Sequence, residues 1–310
     1  MEPLISVGIP TYNRPEGLRN TLERITRQTY RNLEIIVSDN QSSDEAAVKS
    51  VVESFAAKDP RIKFHRQKTN LGSTGNFQFL ARQATGDYFL WAADDDELEN
   101  GYIAALAETI RKNPQAAVAM TSYDVQDTMS VPHIFVNPSE HLHGLSGKTP
   151  YERLRKYILQ PDHLGKSRIV WGLFPRPLIV RAFDECLKHL EGVSPLIWAD
   201  LPIEVRLLAY GDLAIHPDVL FHVFLLPTSD GRQGLAHKTG KLMEVARRGY
   251  RSFGKVIDES PLSAEERADL QRVLARKHRK DKFQLFVYYG IIGRFPRLAR
   301  WIKKIWYRFV

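Results

Sequence analysis

Short apolar runs alternate with segments of helical spacing from Leu4 to Tyr123. The runs suit buried strands, and the segments between them place apolar residues three and four positions apart, as amphipathic helices do. The predicted strands are Leu4–Ile9, Leu33–Ser38, Arg61–Arg66, Tyr88–Ala93 and Ala116–Tyr123; the predicted helices are Pro15–Gln28, a helix capped by Asp44 that reaches Phe55, Thr74–Ala84 and Gly101–Lys112. This alternation predicts an α/β fold, with a mostly parallel sheet and helices on both faces.

The pattern changes after Gln126. Up to Ser167 the chain is rich in Pro, His, Ser and Gly, with no clear periodicity before Tyr151–Leu159, which makes this stretch a candidate lid or acceptor loop. Farther along, helices are predicted at Pro177–Leu190, Asp200–Ala209, Leu242–Ile257 and Ala264–Arg279, and short strands at Leu213–His216 and Val219–Leu226.

Polar clusters follow three of the predicted strands. Thr11, Tyr12 and Asn13 come after the first strand, Asp39 and Asn40 after the second, and Asp94–Asp96 after the fourth. Because the carboxyl ends of parallel strands meet at one edge of a sheet, and ligands bind there, these clusters predict a nucleotide-type site.

The three consecutive carboxylates Asp94, Asp95 and Asp96 repel one another unless a cation or protons neutralise them. Oxygen-only ligands suit Mg²⁺ or Mn²⁺, which use one or two carboxylates together with the phosphates of a substrate. An acidic turn facing solvent is the alternative. The neighbouring polar clusters favour the metal site.

Two familiar phosphate motifs are absent or incomplete. No G-x-G-x-x-G follows the first strand, which argues against a dinucleotide-binding dehydrogenase. The run Ser146–Thr149 matches the end of a P-loop, but Leu142 stands where the first glycine belongs and no clear strand precedes it, so we expect an ordinary loop.

Composition fits one large domain or two modest ones, with 310 residues of which 43% are apolar. The single cysteine, Cys186, excludes an internal disulfide and suits a buried apolar position. Strand-like sequence begins at Leu4 with no export signal, and no apolar stretch is long enough to span a bilayer, so we expect a cytoplasmic protein.

The net charge of +8 is concentrated near the end of the chain, since Arg272–Val310 contains twelve Lys or Arg and a single acid. From Gly293 the pattern predicts an amphipathic helix with one apolar and one cationic face, flanked by Trp301 and Trp306. Such a helix lies in the headgroup region of an anionic membrane. Docking on the catalytic domain or at a dimer interface is the alternative.

Four sequence blocks occur in a fixed order: Val7–Arg14 (VGIPTYNR), Leu33–Asp44 (LEIIVSDNQSSD), Asn70–Gly72 (NLG) and Gly86–Asp96 (GDYFLWAADDD). In order and spacing they resemble glycosyltransferase family 2, the inverting enzymes with the GT-A fold. The acid triplet is further similar to a subgroup that builds cell-surface polysaccharides such as O-antigen.

The resemblance implies roles for individual positions. Those matching nucleotide-sugar contacts are Pro10, Thr11, Tyr12, Asn13, Asp39, Asn70, Asp94 and Asp95. Thr11 and Tyr12 match contacts to the base and ribose, and Asp39 matches the acid that accepts a hydrogen bond from the base, usually uracil or thymine. A turn or capping role with Asn40 is the alternative for Asp39.

For the metal, Asp94 and Asp96 match the Asp-x-Asp element that holds a divalent cation, Mn²⁺ or Mg²⁺, against the diphosphate. Many members carry an acid where this chain has Ala93. We expect Asp96 to bind the metal directly and Asp94 to lie toward the ribose or sugar. His222 is the first candidate for a further metal ligand, ahead of His216 and His237, with packing or surface roles as the alternative for each.

For the chemistry, Asp200 matches the family's catalytic base, with Ala199 in place of the usual Glu and Arg206 at the position of a following Arg. An inverting transfer needs a carboxylate to take the proton of the acceptor hydroxyl. Helix capping is a second role for Asp200, supported by Pro202 in the first turn. Arg206 is either a phosphate contact or a solvated or salt-bridged helix residue.

The sequence therefore predicts a metal-dependent inverting glycosyltransferase that uses a UDP- or dTDP-sugar and a saccharide acceptor linked to a lipid such as polyprenyl diphosphate. The expected division is a GT-A domain over 1–226, with nucleotide-sugar and acceptor halves meeting near 125, and a helical region over 227–310 whose tail, from about 283, associates with the inner face of the cell membrane. The alternatives are a sugar-phosphate nucleotidyltransferase and a nucleic-acid-binding protein; we expect no nucleic acid partner.

Overall fold

Parallel strands form the centre of the larger sheet in the computed structural model, which describes residues 2–93, 96–127, 134–136, 139–161, 165–188, 200–225 and 239–285. The strands are β1 (Ile5–Thr11), β2 (Leu33–Asp39), β3 (Ile62–Arg66) and β4 (Tyr88–Trp91), in the order β3-β2-β1-β4. β8 (Phe174–Pro175) adds an antiparallel edge beside β4. β1 and β2 are buried almost throughout, as expected for strands covered on both faces.

Helices α1 (Pro15–Thr26), α2 (Glu45–Ala56) and α3 (Gly72–Gln83) connect these strands in turn, and α4 (Tyr102–Lys112) packs against a second sheet. The apolar spacing in α1 buries Leu18, Leu22 and Ile25. The predicted cap of α2 is confirmed, because the Asp44 carboxylate accepts a hydrogen bond from the Ala47 N–H at 2.9 Å.

A second sheet contains β5 (Glu97–Leu98), β6 (Ala116–Asp127), β7 (Ile134–Val136) and β9 (Asp212–Leu225), in the order β5-β9-β6-β7. The prediction of two short strands, Leu213–His216 and Val219–Leu226, was wrong, since β9 is a single strand. His216 and Val219 pair with the adjacent residues Thr121 and Ser122, which leaves Pro217 and Asp218 outside the regular register. Proline cannot donate to a ladder, so an irregularity of this kind is its expected place.

The remaining helices are α5 (Ser139–His143), α6 (Pro150–Leu159), a 3₁₀ helix (Lys166–Trp171), α7 (Arg176–Leu187), α8 (Asp200–Tyr210), α9 (Thr239–Glu259) and α10 (Ala264–Leu285). α8 packs against α6, α7 and α9, and α10 packs against α6 and α9. Ser146–Thr149 forms the predicted loop, in which the Thr149 hydroxyl caps α6 by accepting from Glu152 N–H.

The mostly parallel sheet surrounded by helices confirms the predicted fold class. Cys186 is buried as expected, and burial raises the pKa of its thiol to about 12. Within the described part of the chain, no helix combines the length and apolar character needed to span a bilayer. Most of the basic tail lies outside the described residues.

Candidate functional site

Thr11, Asp39 and Arg66 stand side by side at the carboxyl ends of β1, β2 and β3, where they are Cα partners in the last rung of the parallel ladder. Pro10 precedes them, opposite Ser38. Thr11 is 3% exposed, and its hydroxyl is buried without a hydrogen-bond partner. An unpaired buried hydroxyl costs free energy, so this rung holds a polar group suited to an incoming ligand.

Asp39 is fully buried and bonds to the protein itself. One carboxylate oxygen accepts from the Ser42 N–H and hydroxyl, and the other accepts from Arg66. A carboxylate can accept about four hydrogen bonds, so part of its capacity remains. Arg66, 25% exposed, also donates to the Ser42 carbonyl oxygen at 3.1 Å. Asp39 therefore fixes the Arg66 guanidinium at the strand end. It also holds the turn after β2 through its bonds with Ser42.

The loops after β1 and β2 are tied together by side chains. Asn13 has a positive φ of 56°; its N–H donates to the Ser42 hydroxyl, and its side-chain oxygen accepts from Ser43 N–H at 2.7 Å. Tyr12, held between these bonded residues, is 48% exposed. An exposed aromatic ring on a fixed backbone offers a stacking surface for a base.

Asn70 lies in the turn before α3 and is joined to the loop after β2. Its side-chain oxygen accepts from Asn40 Nδ2 at 3.1 Å and from Gly72 N–H at 2.8 Å, while Asn40 Oδ1 accepts from Leu71 N–H. Gly72 has a φ of +70°, a conformation that favours glycine. The structure thus brings Asn70 to the same edge as Thr11 and Asp39, through Asn40, whose N–H bonds to the Thr11 carbonyl oxygen.

The acidic segment passes beyond the end of β4 and is anchored to α1 on both sides. Thr21 donates to the Ala93 carbonyl oxygen at 2.9 Å, and Arg24 donates to the Asp96 carbonyl oxygen at 3.1 Å. Asp96 is 6% exposed. Burial raises the pKa of Tyr102, and the nearby Asp96 charge raises it further. Asp94 and Asp95 lie outside the described residues.

The donor set at this edge fits a hard divalent cation. Among the described residues, no group of three or more His, Cys, Asp or Glu side chains converges on one metal position. An ion held largely by the phosphates of a substrate needs only one or two protein carboxylates, however. A buried carboxylate at Asp96, with two more acids directly before it in the sequence, meets that requirement.

His222 lies in the second sheet, in β9. Its Nδ1 is 3.0 Å from an Asp124 carboxylate oxygen, and its Nε2 is 3.4 Å from a Glu99 oxygen. Asp124 is 5% exposed. His216 bonds instead to the N–H of Asp218, and His237 lies outside the described residues. The structure therefore places His222 between two carboxylates, that of Asp124 in β6 and that of Glu99, which follows β5.

Asp200 is the first residue of α8, one position inside the helix from the predicted cap. Farther along this helix, Glu204 is fully buried and accepts from the Tyr157 hydroxyl and from Val170 N–H at 3.1 Å. Arg206 is 2% exposed and contacts Glu185 at 3.2 Å and Glu259 at 2.5 Å. Arg206 is thus a buried salt-bridge residue that joins α8 to α7 and α9, which is the salt-bridged alternative given above.

Comparison with known families identifies the family of the chain. The Glycosyl transferase family 2 model matches residues 6–166, which is more than half of the chain and includes the strand ends described above. The chain belongs to glycosyltransferase family 2. The family predicted from the sequence is confirmed.

One curated family 2 relative is the GalNAc(5)-diNAcBac-PP-undecaprenol beta-1,3-glucosyltransferase of Campylobacter jejuni, 40% identical over 107 residues. The match covers 34% of this chain and 34% of that relative, so it spans only about a third of each.

Two solved structures share the fold. S. aureus TarS (residues 1–349) superposes with a TM-score of 0.66 at 16% identity, over 93% of this chain and 75% of that chain. The mannosyltransferase PcManGT of Pyrobaculum calidifontis, in complex with GDP-Man and Mn²⁺, superposes with a TM-score of 0.52 at 16% identity. The superposition covers 97% of this chain and 83% of that chain.

Sequence reasoning missed residues that shape the edge through partners distant in sequence. Arg66 was treated only as a strand end, and Thr21 and Arg24 only as positions of a helix. The sequence offered no local signal for the pairing of Arg66 with Asp39, because this pairing depends on the register between β2 and β3. For the α1 anchors the sequence offered none, because their partners are backbone carbonyl groups.

Proposed function

We propose that this family 2 enzyme is a metal-dependent inverting glycosyltransferase, which moves a sugar from a UDP- or dTDP-sugar to a lipid-linked saccharide during assembly of a cell-surface polysaccharide of the O-antigen type. The observation that carries the proposal is the row of Thr11, Asp39 and Arg66 at the strand ends, where the buried Thr11 hydroxyl has no hydrogen-bond partner. The exposed Tyr12 lies beside this row, and the acidic segment follows β4 at the same edge of the sheet. The TarS complex with UDP-GlcNAc, the PcManGT complex with Mn²⁺ and the undecaprenol-linked substrate of the Campylobacter relative support the proposal.

The donor nucleotide occupies the loops after β1 and β2. The Tyr12 ring stacks on the base, and the Thr11 hydroxyl gains the partner that it lacks. The remaining acceptor capacity of Asp39 serves a base imide N–H once the Arg66 side chain turns aside. Asn70 holds the neighbouring turn in place.

Asp96 would hold the divalent cation directly, and Asp94 would lie toward the ribose or sugar of the donor. When bound, the cation neutralises the negative charge that develops on the departing nucleoside diphosphate. The tethers from Thr21 and Arg24 fix both flanks of the acidic segment, so its carboxylates meet the ion with little reorganisation.

Asp200 is the general base. It removes the proton from the acceptor hydroxyl while that oxygen attacks the anomeric carbon opposite the leaving group, which inverts the configuration. Buried bonds of Glu204 and Arg206 hold α8 and therefore its first residue. The acceptor is lipid-linked, and the tail from about 283 keeps the enzyme at the inner face of the membrane.

The test separates nucleotide binding from chemistry. UDP, dTDP and GDP are each added with Mn²⁺ to the parent and to Asp96→Asn, Asp200→Asn and Asp184→Asn; Asp184 is a surface acid bonded to Arg82. At 100 times its dissociation constant, a nucleotide stabilises the fold by about 2.7 kcal/mol. We expect UDP or dTDP to raise the melting temperature of the parent, Asp200→Asn and Asp184→Asn, but not of Asp96→Asn.

Transfer to acceptor is then measured on the same proteins. Asp200→Asn should lose about 10² to 10⁴ in rate, as is typical when a general base is removed, and Asp184→Asn should lose none. If the metal-dependent rise in melting temperature persists in Asp96→Asn, the metal assignment is refuted. If GDP stabilises the parent more than UDP or dTDP does, the pyrimidine-nucleotide donor is refuted. Normal turnover of Asp200→Asn would mean that Asp200 only caps the helix.

A further inference from the structure

The outward face of α10 carries a row of cations. Arg272, Arg276, Arg279, Lys280 and Phe283 recur at spacings of three and four, which places them on one side of the helix, and all five are exposed. Lys282 is exposed beside them. The opposite side is apolar and packed, with Leu270, Val273 and Leu274 buried.

Most of these cations form no ion pair with a neighbouring acid among the described residues. Arg272 pairs with Asp269, but Arg276, Arg279, Lys280 and Lys282 form no ion pair with any described residue. Asp281, the acid among them, is occupied by Lys277 at 2.9 Å and by the Tyr250 hydroxyl. The face therefore presents concentrated positive charge to solvent.

Side-chain contacts with α9 and α6 hold α10 in place. Tyr250 of α9 stacks on the His278 ring, with centroids 4.5 Å apart, and Tyr151 of α6 donates to Asp269 at 2.8 Å. α6 in turn packs on α8, whose first residue is Asp200. A partner bound on this face is thus connected through packed helices to the acceptor half of the enzyme.

One apolar residue distinguishes this face from a purely phosphate-binding surface. Phe283 is 67% exposed at the end of the cationic row, and the sequence continues directly into the apolar run Phe286–Tyr289. A large exposed aromatic beside Arg and Lys suits the boundary between lipid headgroups and acyl chains, where the ring enters the apolar layer and the cations meet anionic headgroups.

We propose that the Arg276–Phe283 face of α10 is a docking surface for an anionic lipid bilayer. The inference deepens the proposed function, since a lipid-linked acceptor requires the enzyme to work at a bilayer, and it assigns the contact to a packed helix of the fold and not to the tail alone.

The experiment compares the full-length parent with R276Q/R279Q/K280Q/K282Q, which removes four exposed charges and keeps good helix formers. The matched control is K49Q/K58Q/R111Q/K112Q, which removes four exposed charges from α4, α2 and the turn after α2. Co-sedimentation uses vesicles of phosphatidylglycerol with phosphatidylcholine and vesicles of phosphatidylcholine alone. Each cation near an anionic leaflet contributes about a fivefold change in binding, so the α10 variant should bind anionic vesicles roughly 600-fold more weakly, and the control should bind as the parent does.

A second variant, F283S, should weaken vesicle binding without changing its dependence on salt. All variants should keep the UDP-dependent thermal shift, which separates a failure of this proposal from a failure of the proposed function. Unchanged vesicle binding by the α10 variant, equal binding of the parent to neutral vesicles, or a preference of the parent for a DNA duplex over anionic vesicles would each overturn the proposal.

Discussion

Asp39 shows how one carboxylate can organise a binding edge without being reachable from solvent. It orders the Ser42 turn and fixes Arg66, so a ligand reaches the Asp39 carboxylate only when the Arg66 side chain turns aside. The value of such an acid lies in the geometry that it imposes, because a fully buried charge is retained only where its partners are well placed.

Asp39→Asn should therefore lower the free energy of unfolding as well as nucleotide affinity. The amide cannot pair with the Arg66 guanidinium, which loses a charge-assisted bond, and we expect a loss of about 1 to 3 kcal/mol in stability. Urea denaturation and titration with UDP measure the two effects. Ser42→Ala removes only the hydroxyl donor to Asp39, so its free energy of unfolding should lie between those of the parent and Asp39→Asn. An Asp39→Asn protein as stable as the parent would contradict the structural role of Asp39.

Glu34, at the opposite end of β2, makes stability depend on pH. Burial alone would raise the pKa of its carboxyl, but hydrogen bonds from Lys63, Ser6 and Thr85 outweigh burial and hold the pKa below its ordinary value of 4.5. The unfolded chain then binds the proton more readily, so the stability from Glu34 is present above about pH 4.5 and is lost as pH falls through the folded pKa.

Glu34→Gln should accordingly flatten the acid limb of the stability curve. The parent should be more stable than the variant at pH 7, and the gap should narrow as pH falls below 4.5. Urea unfolding across this range measures the gap. Parallel curves for the two proteins would show that Glu34 does not titrate as argued.

Single-residue predictions from sequence succeeded where the partner is local. The Asp44 cap depends on Ala47, three positions away, and could be predicted from helix-start chemistry. The pairing of Asp39 with Arg66 could not, because it depends on the register between β2 and β3, which no local pattern specifies.

Buried polar contacts join α8 to its neighbours. Glu204 joins it to α6 through Tyr157 and to the 3₁₀ helix through Val170. Since Asp200 begins this helix, these bonds connect the proposed base to α6 and the 3₁₀ helix.

Glu204→Ala and Tyr157→Phe should therefore be non-additive. Removing Glu204 leaves two buried donors unpaired, at about 1 to 3 kcal/mol each, whereas Tyr157→Phe removes one of those donors. The double variant should be destabilised by less than the sum of the singles, as urea unfolding of all four proteins would reveal. Strict additivity would mean that the hydrogen bond contributes nothing measurable.

Helical periodicity predicted most elements to within a few residues, because each helix buries its own apolar stripe. The second sheet was not predictable in the same way. β5 has two residues, and Pro217 divides β9 into two apparent pieces, so its strands are recognisable only once β6 and β9 are paired.

Across the whole molecule, the sequence established the family, the parallel sheet and the edge where the polar clusters meet. It could not establish how the later helices pack against one another. Arg206 illustrates this, since its partners Glu185 and Glu259 come from helices on either side of α8 in the chain, and only the tertiary arrangement turns a surface-like residue into a buried link.

The position of β9 between β5 and β6 has a consequence for the newly made chain. β6 is complete once Asp127 has been synthesised, but its inner neighbour ends only at Leu225. At the usual 5 to 20 residues per second, that delay is roughly 5 to 20 seconds. During this interval one edge of β6, an apolar strand, has no native partner and is open to pairing with other chains. The yield of active enzyme should therefore depend on how well ribosome-associated chaperones shield this strand until β9 emerges.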